Sequence, residues 1–149
     1  MRLRNLLFGL FCICFCHAQD KGVSLVVLGT VQDGGSPHIG CQRSCCAQLF
    51  LEPDPKRKVV SLGVVDHRAE KSYLFEATPD LPEQLKLLKT ASEKDQEVPN
   101  GIFLTHAHMG HYAGLLYLGR EALGGSKVPV YAMPKMQAFL ERNKSELGL

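Results

Sequence analysis

The sequence shows no excess of one charge once its N-terminal segment is set apart. Across 149 residues, 17 lysines and arginines stand against 15 aspartates and glutamates. Arg2 and Arg4 both lie in residues 1–18, which contain no acidic residue. Without that segment basic and acidic side chains are equal in number. The basicity therefore does not indicate a nucleic-acid-binding surface.

Long apolar runs and low-complexity tracts are also missing. The apolar run at residues 6–16 is too short to span a bilayer comfortably, and no later run could span one. It follows two arginines and precedes small residues before Gln19, as in a secretory signal peptide. We therefore predict a signal peptide at residues 1–18 and one folded domain at residues 19–149. The protein would be exported, to a periplasm or outside the cell, with no membrane contact after cleavage.

Cysteine remains in an odd number after that cleavage, as Cys41, Cys45 and Cys46. An odd number is awkward for disulfides in an oxidising compartment, and pairing of the adjacent Cys45 and Cys46 would be strained. Three arrangements stay open. These are a structural metal site that also uses His38, a disulfide with one free thiol, and buried thiols.

Histidine is concentrated in one place. His106, His108 and His111 directly follow the apolar run at residues 102–104. Imidazole is the commonest metal ligand among neutral side chains. A strand that delivers His-x-His into a loop can point both rings toward one ion, and His111 can face the same cavity. We predict a metal site here; a polar turn rich in histidine is the alternative.

Apolar patterns elsewhere predict strands that alternate with helices. Strands are expected at residues 23–28, 59–65, 72–75, 101–104 and 128–132. Helices are expected within residues 41–51, from residue 78, after the histidine motif and from Pro134. Leu81, Leu85 and Leu88 give the second helix an apolar face. Because the strands begin as a meander, we predict an α/β or α+β domain with a mixed sheet.

The histidine motif resembles that of the metallo-β-lactamase superfamily, in which a strand precedes Thr-His-x-His-x-Asp-His at the start of a helix. The matching residues are Thr105, His106, His108 and His111. The sequence is most similar to the pyrroloquinoline quinone biosynthesis protein B group and its exported relatives. The segments that carry this similarity are residues 28–35, 37–41, 45–46, 78–81 with Gln84, 106–115 and 130–134.

The sequence departs from the superfamily pattern in two ways. Gly110 stands where the superfamily has Asp, which favours one metal ion over two. The superfamily fold is an αββα sandwich whose later segments supply further ligands, and no His or Asp follows His111 here. We therefore expect the N-terminal part of the sandwich, incomplete at its C-terminus.

The resemblance implies an exported metal-dependent hydrolase that uses metal-activated water on a small ester, amide or phosphodiester substrate. Zinc is the expected ion, with iron or manganese as alternatives and a second, structural zinc at the cysteines. Asp33 and Asp80 are candidate catalytic residues, although Asp33 is equally explained as a turn former and Asp80 as a helix N-cap. A homodimer is left open. The rival functions are a role in biosynthesis or transport of pyrroloquinoline quinone, and metal or ligand binding without catalysis.

Overall fold

The computed structural model describes residues 22–144, so the predicted signal peptide lies outside the described residues. Within this range the elements are β1 Val23–Gly29, α1 Ser44–Leu51, β2 Ser61–Asp66, β3 Lys71–Phe75, α2 Leu81–Ser92, β4 Gly101–Leu104, α3 Met109–Tyr112, a 3-10 helix Ala113–Leu118, β5 Val130–Ala132 and α4 Pro134–Asn143. None of the helices in residues 22–144 has the length and apolar character needed to cross a membrane.

The five strands form one mixed sheet in the order β1-β2-β3-β4-β5. β1 pairs with β2 and β2 with β3 in antiparallel fashion, whereas β3 with β4 and β4 with β5 are parallel pairs. β1, β3, β4 and β5 therefore run in one direction, and β2 runs against them. It follows that the C-terminal ends of four strands, and the loops that leave them, lie along the same edge of the sheet. The predicted mixed sheet is confirmed.

A tight turn joins β2 and β3 into a hairpin. The carboxylate of Asp66 accepts hydrogen bonds from the backbone amides of Arg68 and Ala69, at 3.0 and 2.9 Å. An aspartate that bonds to amides two and three residues ahead folds the chain back locally. Asp66 lies opposite Lys71 in the ladder, so this turn sets the register of the two strands.

One face of the sheet is covered by α2. Leu81, Leu85 and Leu88 are buried, and they belong to the same core cluster as Leu28 of β1 and Leu74 of β3. The leucine spacing thus places one stripe of the helix against the sheet, as predicted. Burial of such a side chain contributes about 1.5–3 kcal/mol to folding.

The opposite face of the sheet is also apolar. Val23, Leu25 and Val27 alternate with inward-facing residues of β1 and are 65–70% exposed. Across the sheet, the Phe103 ring stacks between those of Phe75 and Tyr131, with centroid distances of 5.0 and 4.6 Å. In an αββα sandwich, a face of this kind is the one on which a second sheet packs.

The segment after the histidine motif differs from the continuous helix that we expected. It consists of the short α3 and then a 3-10 helix, which is the more tightly wound form. Gly114 lies against the chain at residues 77–78, and a Cβ built on it would overlap the Thr78 carbonyl oxygen. The 3-10 helix therefore packs closely against the loop that follows β3. The local sequence does not reveal this contact.

A buried hydrogen-bond network fixes the start of α2. The Gln84 side chain donates to the Val59 carbonyl and accepts from the Thr78 hydroxyl, both at 2.7 Å. The Asp80 carboxylate accepts from the Val59 amide at 2.7 Å. Asp80 occupies the N-cap position of α2 but makes no side-chain capping bond.

This network gives the Asp80 carboxylate a structural contact. Its carboxylate is held by the Val59 backbone, where it joins α2 to the segment before β2. It is absent from the group of ligand-type side chains, among the described residues, that includes the motif histidines. A catalytic role for Asp80 stays a prediction.

The network predicts a stability cost for loss of the Gln84 amide. Gln84→Leu would leave the Val59 carbonyl and the Thr78 hydroxyl without this partner, at a cost of about 1–3 kcal/mol. Urea titration followed by circular dichroism measures the change in unfolding free energy. The control is Gln137→Leu at an exposed position of α4, where the amide donates to Glu141; the expected change is within about 0.5 kcal/mol. Equal costs for the two substitutions would contradict the role of the network.

Candidate metal centre

Three loops converge at the edge where parallel strands end. The Gly-rich loop at residues 30–40 follows β1, residues 76–78 follow β3, and residues 105–108 follow β4. Because β1, β3 and β4 run in the same direction, their loops open on one side. Ligand sites of α/β sheets commonly lie at the carboxyl ends of the strands.

The three motif histidines lie together at this edge. The His106 ring is centred 4.5 Å from that of His108 and 4.1 Å from that of His111. His106 Nε2 is 3.1 Å from His108 Nδ1. The His108 side chain is 71% exposed and that of His111 is 11% exposed. The cluster therefore has a buried side and a side open to solvent.

Glu76 supports His111 from the buried side. Its carboxylate oxygen Oε2 lies 3.2 Å from His111 Nδ1, and only 8% of the Glu76 side chain is exposed. The contact has the separation of an ion pair but not the alignment of a hydrogen bond, so His111 Nδ1 has no hydrogen-bond partner. The carboxylate nevertheless occupies the Nδ1 side of the ring, and Nε2 is left to face the cluster.

His106 is held in a similar way by its neighbour in the chain. The Thr105 hydroxyl lies 2.8 Å from His106 Nδ1, while Nε2 of the same ring faces His108. Metal-binding histidines commonly have one ring nitrogen engaged by a protein group and the other turned to the ion. His106 shows this division of its two nitrogens, whereas His111 has only the Glu76 carboxylate near Nδ1, without a hydrogen bond.

Asp33 enters the cluster from the Gly-rich loop, 75 residues away in sequence from its partner His108. Its Oδ2 lies 3.1 Å from His108 Nδ1 and 3.8 Å from His111 Nε2. A hydrogen bond from its own backbone amide lowers the pKa of Asp33, against a smaller effect of desolvation; attraction to His111 and then His108 lowers the pKa further. Asp33 is therefore an anionic oxygen donor at neutral pH.

The donor set that the structure brings together differs by one member from the three histidines of the sequence prediction. Ligand-type atoms of Asp33, His106 and His111 all lie within 4.8 Å of one another. His108 lies beside this group, next to Asp33 and His106. Two imidazoles and a carboxylate are suitable donors for zinc and for iron. The donor chemistry thus fits a metal ion.

Sequence reasoning did not identify Glu76. The available signal was a carboxylate placed directly after an apolar strand, at the same sheet edge as the histidine motif. Spacing alone could not reveal it, because Glu76 and His111 lie on different elements. Asp33 had been singled out as a candidate, and the structure places it at the cluster.

The cysteine segment shows one of the three arrangements left open. Cys41 and Cys46 form a disulfide, and Cys45 is a free, exposed cysteine. The three sulfur atoms lie within 4.8 Å of one another, but His38 is not part of this group. His38 instead accepts a hydrogen bond from the Gly40 amide at 3.2 Å. The structure thus shows the disulfide with one free thiol, and a structural metal ion bound by these cysteines and His38 stays a prediction.

Curated relatives share this part of the chain. Coenzyme PQQ synthesis protein B of Methylorubrum populi is 29% identical over 124 residues, which is 80% of this chain and 40% of that protein. The protein of the same name from Bradyrhizobium diazoefficiens is 30% identical over 123 residues, 80% of this chain and 38% of the relative. The chain therefore spans about two fifths of the length of the curated relatives it matches.

Solved structures show the same fold. Zn²⁺-bound PqqB from Methylobacterium extorquens superposes with a TM-score of 0.60 at 25% identity, over 80% of this chain and 40% of that one. A diphosphatase from the PhnP family superposes with a TM-score of 0.59 at 29% identity, over 84% of this chain and 47% of that one. A family model described as "Beta-lactamase superfamily domain" matches residues 71–147, just over half of the chain. With its histidine motif at the end of β4, the chain belongs to the metallo-β-lactamase superfamily.

Proposed function

We propose that this chain carries the metal centre of a hydrolase that acts on a small ester, amide or phosphodiester substrate. The observation that carries the proposal is the convergence of Asp33, His106 and His111 within 4.8 Å. The cluster opens to solvent on the side of His108, which is 71% exposed, so a substrate can reach it. Similarity to a diphosphatase of the PhnP family supports phosphate-containing substrates among these classes.

Zinc is the ion we propose, because its preferred nitrogen and oxygen donors match the cluster and a similar structure is that of Zn²⁺-bound PqqB. When bound, zinc lowers the pKa of a water ligand to about 7 and polarises a carbonyl or phosphoryl oxygen. The chain's own residues prepare the cluster: Thr105 and Glu76 orient the rings of His106 and His111. The anionic Asp33 offsets the positive charge of a cation.

Metal binding is expected to depend on the motif histidines. His106→Ala combined with His108→Ala removes imidazoles at the strand end and should weaken Zn²⁺ binding more than a hundredfold. Isothermal titration calorimetry of the purified chain with Zn²⁺ gives the affinity and stoichiometry. His67→Ala is the control, since His67 bonds to Ser24 in the hairpin region. Equal Zn²⁺ affinity in the double variant and the unaltered chain would exclude the site.

Hydrolysis is tested with a generic phosphodiester and a generic ester. We expect the Zn²⁺-loaded chain to release nitrophenol from bis(p-nitrophenyl) phosphate or p-nitrophenyl acetate, and the His106→Ala, His108→Ala variant to show background rates. The His67→Ala variant should keep the full rate. Tight Zn²⁺ binding without turnover on either substrate would refute hydrolysis by this chain. It would leave the third candidate function, metal or ligand binding without catalysis.

A role in pyrroloquinoline quinone biosynthesis or transport is the second candidate, favoured by relatives named coenzyme PQQ synthesis protein B at 28–30% identity. Expression of the chain in a bacterium that lacks its own protein B should then restore quinone formation. Failure to restore it, with normal accumulation of the folded chain, would refute this role.

We also propose export, on the basis of the arginines and apolar run in residues 1–18. Intact-mass measurement of the native protein should show a chain that begins at Gln19. A mass that includes Met1 and residues 2–18 would contradict cleavage at this place.

A further inference from the structure

We infer that Asp33 is a metal ligand supplied by the Gly-rich loop at residues 30–40, and that Gly110 is the residue that admits it. This inference deepens the proposed function and rests on it, because it concerns the same metal centre. Nothing in the local sequence around the histidines provides this carboxylate. The loop after β1 delivers it from the other side of the cluster.

The distances match a single coordination sphere. Two ligands held by zinc at about 2.1 Å in tetrahedral geometry lie about 3.4 Å apart. Asp33 Oδ2 lies 3.1 Å from His108 Nδ1 and 3.8 Å from His111 Nε2. Both separations are close to that value, and the ligand-type atoms of Asp33, His106 and His111 all lie within 4.8 Å of one another.

Hydrogen bonds hold the Gly-rich loop in a conformation that directs the Asp33 side chain toward the histidines. The Gly35 amide donates to the Gln32 carbonyl at 2.9 Å, which closes a turn around residues 33 and 34. The Gln32 side chain accepts from the Gly34 amide and donates to the Gly35 carbonyl, at 2.9 and 3.0 Å. The backbone of Asp33 thus forms the turn that its residue type predicts, while its carboxylate points to the histidines.

Gly110 is required by this arrangement. It is buried in α3, and a Cβ built on it would overlap the Cα, Cβ and carbonyl oxygen of Asp33. Any side chain at position 110 would therefore displace the loop backbone. Residue 110 therefore cannot carry a carboxylate while the Asp33 loop stays in its present place. The carboxylate of this centre comes from the loop.

A simpler role for Asp33 would be that of a hydrogen-bond partner for His108, with no contact to metal. That role predicts no change in the coordination of a bound ion when Asp33 is altered. Weaker Zn²⁺ affinity alone does not separate the two roles, because loss of a partner outside the coordination sphere also lowers metal affinity. The visible absorption spectrum of bound Co²⁺ separates them, since it reports the number and type of ligands. Neither measurement depends on catalysis.

The experiment compares Asp33→Asn with His106→Ala and with a matched control, Asp54→Asn. Asp54 is an exposed turn aspartate that accepts from the Lys56 amide at 2.9 Å, outside the cluster. We expect Asp33→Asn to weaken Zn²⁺ binding by about tenfold or more and to change the Co²⁺ spectrum. Asp54→Asn should alter neither. Thermal melting followed by circular dichroism establishes that each variant is folded.

Variants that move the carboxylate from position 33 to position 110 test the role of Gly110 separately. Gly110→Asp alone should weaken Zn²⁺ binding, because the new side chain displaces the loop that carries Asp33. Adding Asp33→Gly to Gly110→Asp relieves part of the overlap and returns one carboxylate, so affinity should recover relative to Gly110→Asp alone. Full affinity in the Gly110→Asp single variant would overturn the role of Gly110.

The outcomes distinguish this inference from the proposed function. Unchanged Zn²⁺ affinity and Co²⁺ spectrum in Asp33→Asn, with loss of binding in His106→Ala, would overturn the assignment of Asp33 and leave the metal centre standing. Unchanged Zn²⁺ binding in Asp33→Asn and in His106→Ala would overturn the assignment of Asp33 and the proposed metal centre together. Weaker Zn²⁺ binding together with a changed Co²⁺ spectrum in Asp33→Asn, with Asp54→Asn unaffected, supports Asp33 as a ligand, whereas weaker binding with an unchanged spectrum would overturn that assignment.

Discussion

The structure depends on the contact between the chain that leaves β3 and the start of the helical segment after the histidine motif. The Ala77 amide donates to the His111 carbonyl, and the Gly114 amide donates to the Ala77 carbonyl, both at 2.9 Å. The Glu76 amide donates to the Phe103 carbonyl at the same distance. These bonds join the ends of β3 and β4 to the backbone that carries His111. The position of the buried histidine is therefore set by the sheet itself.

The same contact has an energetic cost at Glu76. Its φ of 74° lies in the left-handed region, and the residue is only 6% exposed. A non-glycine residue in that conformation costs of order 1–3 kcal/mol, and a buried carboxylate costs more unless it has partners. Glu76 faces His111 Nδ1 at 3.2 Å and the Thr105 amide at 3.4 Å. A cation bound by the histidines would attract this carboxylate. The costly conformation of Glu76 is therefore easier to explain by a role in a metal centre than by a contribution to folding stability.

Local patterns predicted most of the elements and part of the site. Leu81, Leu85 and Leu88 predicted the buried stripe of α2, and the run before Thr105 predicted β4, because both signals repeat within a few residues. The 3-10 helix and the buried network of Gln84 depend on contacts between distant segments, so spacing did not reveal them. The disulfide joins Cys41 and Cys46, which are close in sequence, but spacing left three arrangements of the cysteines open. Asp80 illustrates the difference: its residue type suggested a capping bond, but its side chain makes none and accepts from the distant Val59 amide.

The directions of the strands explain why a carboxylate from the loop after β1 lies beside the histidines. Had the order β1-β2-β3-β4-β5 been known, the two antiparallel pairings would have shown that β1 and β4 run the same way. Loops that leave parallel strands lie at one edge, so an acidic residue after β1 becomes a candidate partner for histidines after β4. Asp33 is the acidic residue in the loop between β1 and α1. The close approach of that loop also explains the glycine at position 110, because a side chain there would overlap Asp33.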